Sequence, residues 1–103
     1  MTDILIVDDE RDIRELISEI LIDEGYQTRL SGGADDCLQE LKRSVPGLLI
    51  LDIWLKDSEM DGIDILVKAK REFPQVPVVI ISGHGNIEIA VAAIKQGAYD
   101  FIE

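Results

Sequence analysis

Three aspartates stand where apolar runs end. Ile4-Leu5-Ile6-Val7 is followed directly by Asp8-Asp9-Glu10, and Leu48-Leu49-Ile50-Leu51 is followed directly by Asp52. Short runs rich in Ile, Leu and Val read as strands buried on both faces of a parallel sheet. Carboxylates placed just after such strands collect at the carboxyl edge of the sheet, where open α/β folds build their sites. Clustered carboxylates repel one another unless something neutralises them, and a hard divalent cation is the usual solution. The chemistry to expect is therefore an acidic, Mg2+-binding pocket on an α/β scaffold.

The elements that must position these carboxylates follow from periodicity. Ile13, Leu16, Ile17, Ile20 and Leu21 recur at helical spacing and predict an amphipathic helix stopped by Gly25. Tyr26 to Leu30 reads as a second strand and Ser31-Gly32-Gly33 as a turn. Ala34, Leu38, Leu41 and Val45 predict a shorter helix ended by Pro46-Gly47, before the strand Leu48 to Asp52. A polar loop from Ile53 to Met60 leads to Asp61, placed as a helix N-cap. That helix carries Ile63, Leu66, Val67 and Phe73 on its apolar side, with Pro74 as its stop. Pro77 to Ile81 is a fourth strand, and Ser82-Gly83-His84-Gly85 is a loop. Asn86 caps a helix through Ile87, Ala90, Val91 and Ile94, closed by Gly97, and Tyr99 to Ile102 is a fifth strand. Strands alternating with helices imply a parallel sheet with helices on both faces and right-handed crossovers.

Composition narrows the function classes. The 103 residues suffice for one domain, and 47% hydrophobic content gives it a core. The net charge of −11 argues against direct nucleic-acid binding and against docking on an anionic membrane. No apolar stretch approaches the ~18 residues of a spanning helix, and no signal-peptide pattern opens the chain. Cys37 is the single cysteine, so no internal disulfide forms and the cytoplasm is the expected compartment. Its place near the apolar stripe of its helix makes it a core residue.

The order of a hydrophobic strand, Asp8-Asp9, a second hydrophobic strand, Asp52, and then Ser82 after the next strand resembles a response-regulator receiver domain over the whole chain. Leu51-Asp52-Ile53-Trp54-Leu55, Met60-Asp61-Gly62, Ser82-Gly83-His84-Gly85-Asn86 and Gly97-Ala98-Tyr99-Asp100-Phe101 are similar to receivers of the NtrC family, and most of all to NtrX-type nitrogen-regulation regulators. The resemblance implies a CheY-like (flavodoxin-like), doubly wound, five-stranded parallel sheet of order 2-1-3-4-5. In that order the first and third strands are neighbours, which brings Asp8, Asp9 and Asp52 together.

The same resemblance implies roles. Asp52 is the phosphoacceptor, taking a phosphoryl group from a sensor histidine kinase. Asp8, Asp9, Asp52 and the backbone carbonyl of Trp54 hold Mg2+. Ser82 is the switch hydroxyl, and Phe101 takes the aromatic switch position, with Tyr99 ranked second because residues two apart on a strand share a face. Read without the family, Asp52 caps a strand end, Asp8 and Asp9 make a solvated acidic turn, Ser82 is a turn serine, and Phe101 is a core ring. His84, the only histidine, reads as a solvated loop residue.

Two departures from the family pattern stand out. The loop after Asp52 is about two residues longer than in compact receivers, a trait NtrX-type receivers share by resemblance. The chain ends at Glu103, immediately before the position of the family lysine and the fifth helix. The expectation is thus one receiver domain, residues 1–103, incomplete at its C-terminus and with its last helix missing. An uncovered apolar face would favour a homodimer or strand-exchanged self-association.

The expected function is a phosphorylation-controlled switch for transcription regulation, itself a signalling phosphoacceptor and not an enzyme. The alternative is a phosphorylation-independent interaction or dimerisation module. A flavodoxin-like carrier would need a Ser/Thr/Gly phosphate loop where Asp8-Asp9-Glu10 stands. An aspartate-nucleophile phosphatase would need its second Asp two residues after the first, not adjacent to it.

Overall fold

In the computed structural model, which describes residues 3–52, 62–81 and 87–102, five parallel strands form one sheet. Strands β1 (Asp3–Val7), β2 (Gln27–Ser31), β3 (Leu48–Asp52), β4 (Val78–Ile81) and β5 (Asp100–Ile102) alternate with helices α1 (Arg11–Asp23), α2 (Ala34–Arg43), α3 (Gly62–Glu72) and α4 (Ile87–Lys95). The strand order is β2-β1-β3-β4-β5, the order the sequence resemblance implied. Val7 pairs with Leu51, and Asp52 pairs with Ile81, so the carboxyl ends of β1, β3 and β4 lie side by side.

The two faces of the sheet are unequal. Leu5, Val7, Leu49, Leu51, Val78 and Ile80 point to one side, where α2, α3 and α4 cover them. Cys37, Leu38 and Leu41 of α2, Ile65, Leu66 and Ala69 of α3, and Ala93 of α4 complete this core. The other face carries Ile4 and Ile6, buried beneath α1, and Ile50, Val79 and Ile81, which are only half-buried. The apolar stripe of α1 is in the right register, yet Leu16 is 53% and Ile20 55% exposed. Helix α1 packs over β1 and β2 at one side of this face. Among the described residues no element covers its far flank. Ser18, on none of the predicted apolar positions, is the buried residue of α1, and its hydroxyl shares a 2.7 Å hydrogen bond with Thr28 of β2.

The helix stops read from glycine hold for a conformational reason. Gly25 and Gly97 have φ of 96° and 103°, where a Cβ is strained. Each sits in a Schellman closure. Tyr26 N–H donates to Leu21 O and Gly25 N–H to Ile22 O, while Ala98 N–H donates to Ala93 O and Gly97 N–H to Ile94 O.

Three expectations need correction. Val45 lies beyond the end of α2 and is exposed, because the helix closes at Arg43 before the stripe reaches it. Tyr26 precedes β2, absorbed into the closure of α1. Tyr99 precedes β5 and is 76% exposed, so it does not share the environment of Phe101, which is half-buried against the core. The predicted caps Asp61 and Asn86 lie outside the described residues.

The opposite edge of the sheet is tied by Arg29, whose role periodicity does not reveal. Its guanidinium donates to both carboxylate oxygens of Asp3, to the carbonyl and carboxylate of Glu40, and to the Ser44 carbonyl. Arg43 also grips Glu40, and its hydrogen bonds, followed by those from Arg29, hold the Glu40 carboxyl below its ordinary pKa. This fork joins β2, β1 and the end of α2 at the edge away from the aspartates.

Cys37 is fully buried, as its position near the stripe predicted. Burial, and then the charge of Asp36, push its thiol up to about 12. With almost no thiolate at pH 8 and no access, Cys37 should resist an aromatic disulfide reagent in the folded chain and react fully in denaturant. Rapid native labelling would show that α2 opens from the core.

Candidate functional site

The carboxyl edge of the sheet assembles the acidic cluster. β1 ends at Val7, and the chain turns so that Asp8 and Asp9 lie between that strand and α1. Asp52 is the last residue of the neighbouring strand β3. One carboxylate oxygen from each of Asp8, Asp9 and Asp52 lies within 4.8 Å of the other two. Asp8 is only 4% exposed, whereas Asp9 and Asp52 are half-buried.

Local backbone chemistry holds Asp8 in place. Its Oδ1 accepts a 2.8 Å hydrogen bond from Glu10 N–H, a side-chain turn two residues long. That turn delivers the chain into α1, whose first-turn N–H groups and positive dipole end face the acidic edge. The Asp8 N–H donates to Ser31 O at 3.1 Å, joining the end of β1 to the end of β2.

Burial and neighbouring negative charge both act on Asp8. The Asp8 carboxyl is raised above its ordinary value, first by burial, against the lowering effect of the Glu10 N–H, and further by the charges of Asp9 and Glu10. A carboxylate held in this way is less stable charged than it would be in water. A divalent cation reverses that balance, and three oxygens at this spacing suit a small, hard ion that keeps several waters.

Of the residues expected in the site, Asp8, Asp9 and Asp52 are brought together. Phe101 lies two strands away, on β5, packed against the core cluster beside Ile80. Trp54, Ser82 and His84 lie outside the described residues. Sequence reasoning missed Arg14. Its Nη1 donates to Asp8 O at 2.6 Å, and the available signal was its place at the end of the first turn of the helix that follows the aspartates.

This geometry can be set against known proteins. The response regulator receiver domain model matches residues 4–103. The chain belongs to that family. As a receiver domain it is the phosphoacceptor unit of two-component signalling. It is 61% identical over 101 residues to the nitrogen assimilation regulatory protein NtrX of Azorhizobium caulinodans, an alignment covering 98% of this chain and 22% of that protein. It is 52% identical over 103 residues to an NtrX-like response regulator of Rickettsia bellii, covering 100% of this chain and 22% of that one. Among solved structures it superposes on the receiver domain of NtrX from Brucella abortus with a TM-score of 0.94 at 55% identity, covering 98% of this chain and 84% of that one. The chain thus spans about a fifth of the length of these two sequence relatives. Among the described residues no helix is long and apolar enough to cross a membrane.

Proposed function

We propose that this receiver domain takes a phosphoryl group on Asp52 from a sensor histidine kinase, with Mg2+ held by Asp8, Asp9 and Asp52. The observation that carries this reading is the convergence of the three carboxylates at the ends of β1 and β3. A carboxylate oxygen of Asp52 forms the new O–P bond as the P–N bond to the kinase histidine breaks. The imidazole nitrogen leaves with the electron pair, and an acyl phosphate remains. Mg2+ supplies charge neutralisation for the phosphoryl oxygens and for the three carboxylates. Asp52 takes the nucleophile's role by the family resemblance, and its place at the end of β3, in the middle of the sheet, supports that role. Asp8 and Asp9 sit on the turn beside it as ligands.

Further parts of the reading rest on the family. The Trp54 carbonyl completes the protein ligands of Mg2+, Ser82 donates to the phosphoryl group, and Phe101 follows the switch. Phe101 is half-buried against the core, on β5 beside Ile80 of β4. The module acts as a signalling switch, not as an enzyme with turnover, in the cytoplasm. Similarity to NtrX connects it to an output that regulates transcription in nitrogen assimilation.

The test is chemical. The chain is incubated with acetyl phosphate, with and without Mg2+, and trapped with borohydride, which converts an aspartyl phosphate to homoserine. Trapping at position 52, dependent on Mg2+, is the expected result. A folded chain that stays unmodified, or one trapped at another carboxylate, would sink the assignment and favour the interaction-module alternative.

A further inference from the structure

Arg14 closes the first turn of α1, and its side chain reaches back over the acidic turn. Nη1 donates a 2.6 Å hydrogen bond to the main-chain carbonyl of Asp8. A Cβ placed on Gly32 would stand 3.2 Å from that same nitrogen. Gly32 follows Ser31, the buried end of β2, whose carbonyl accepts the Asp8 N–H at 3.1 Å. The Ser31 hydroxyl in turn donates to Gly33 O at 3.1 Å. Asp8 is therefore held on both sides of its Cα, its N–H by the end of β2 and its carbonyl by the guanidinium, which rests against Gly32.

We propose that Arg14 is a positioning residue for the metal site, and that residue 32 is glycine to leave room for its guanidinium. This rests on the Mg2+ reading above. The clamp fixes the backbone from which Asp8 projects and sets the approach of Asp8 and Asp9 to Asp52. The guanidinium bonds the main-chain carbonyl of Asp8 and not its carboxylate, whose Oδ1 accepts from Glu10 N–H. Two effects of Arg14 on metal affinity oppose each other. Its positive charge, close to a cation site, weakens binding. Its hold on Asp8 strengthens binding by pre-setting the ligands, and outer-shell contacts of this kind are worth about 10–100-fold in affinity. The sign of the change on removing Arg14 decides which effect governs.

The experiment is a calorimetric Mg2+ titration of the wild-type chain, Arg14→Met, Arg14→Lys and Gly32→Ala, with the melting temperature of each in the absence of metal. Positioning predicts that Arg14→Met raises the Mg2+ Kd about ten-fold, that Arg14→Lys recovers part of the loss, and that Gly32→Ala raises Kd about two- to three-fold by displacing the guanidinium while its charge remains. The rate of phosphoryl uptake at saturating Mg2+ should fall less than the affinity, because Asp52 stands on β3 and not on the clamped turn. Binding by Arg14→Met as tight as wild type, or tighter, would overturn the proposal, as would a saturated rate that falls more than the affinity. If Arg14→Met does not fold, Gly32→Ala decides alone, and an unchanged Kd there also overturns it. A wild-type chain with no saturable Mg2+ binding would instead remove the metal reading itself, an outcome visible before any variant is compared.

Discussion

Asp52→Asn and Asp8→Asn should both silence phosphoryl uptake, for reasons that metal affinity and stability separate. An Asn at position 52 removes the nucleophile, since an amide oxygen forms no stable acyl phosphate, and the loss should be complete at any Mg2+ concentration. An Asn at position 8 leaves the nucleophile and removes one of three charged ligands. Its Mg2+ affinity should fall on the order of 100-fold, and high Mg2+ should restore part of the uptake.

The metal-free Asp8→Asn chain should also melt a few degrees higher than wild type at pH 7. The Asp8 carboxyl is raised above its ordinary value of 3.8, mainly by burial and further by Asp9 and Glu10. A carboxyl raised in the folded state favours folding below the unfolded pKa, and that contribution is lost as pH rises through the folded value. At pH 7, above the ordinary carboxyl value, the raised pKa of Asp8 therefore works against folding. Asn removes the titrating group, and its amide oxygen can still accept from Glu10 N–H. The difference in melting temperature should be small near pH 3.8 and grow as pH rises above it. Saturating Mg2+ should reverse the order at pH 7, because a ligand that binds only the folded state stabilises it by mass action. Equal melting temperatures at every pH would show that Asp8 is not held at a cost, and no reversal with Mg2+ would show that Asp8 does not bind the cation.

How far the sequence foretold this site depends on what kind of information each residue carries. Strand ends are legible because an Ile/Leu/Val run followed by Asp marks both the element and its terminus. That pattern places Asp8, Asp9 and Asp52 at one edge of the sheet, and the strand order implied by the family resemblance makes their strands neighbours. Gly25 and Gly97 were legible because the closures they sit in demand a left-handed backbone. Arg14 and Arg29 were not legible, since a guanidinium finds its acceptors through tertiary contacts with no fixed spacing along the chain. Ile65 and Ala69, which the periodic reading did not name, join Leu66 in the core, while Ile63 packs against it half-buried. The α1 stripe was read correctly as a stripe, and spacing alone did not say that Leu16 and Ile20 would stay exposed. Periodicity states which side chains share a face, and only the neighbouring elements determine what covers that face.

That last distinction produces a large expected effect at two adjacent residues. Leu51 and Ile50 are successive residues of β3, so their side chains point to opposite faces of the sheet. Leu51 is fully buried in the cluster formed with α2, α3 and α4. Ile50 is half-buried on the face that α1 only partly covers. Leu51→Ala removes three carbons from a close-packed site and leaves a cavity, at a cost of about 3–4 kcal/mol. For a domain of this size that corresponds to a fall of roughly 12–25 °C in Tm. It is also a large share of the 5–15 kcal/mol that typically holds a domain folded, so Leu51→Ala at 37 °C should approach its unfolding midpoint. Ile50→Ala should cost about 1–2 kcal/mol, because a half-exposed side chain loses less burial and its site opens to solvent, leaving no sealed void. Chemical denaturation of both variants measures the contrast directly. Equal losses would mean that the α1 face contributes as much to folding as the face packed by three helices. The stability of the Asp52 site would then depend on both layers, and not chiefly on the α2–α3–α4 side.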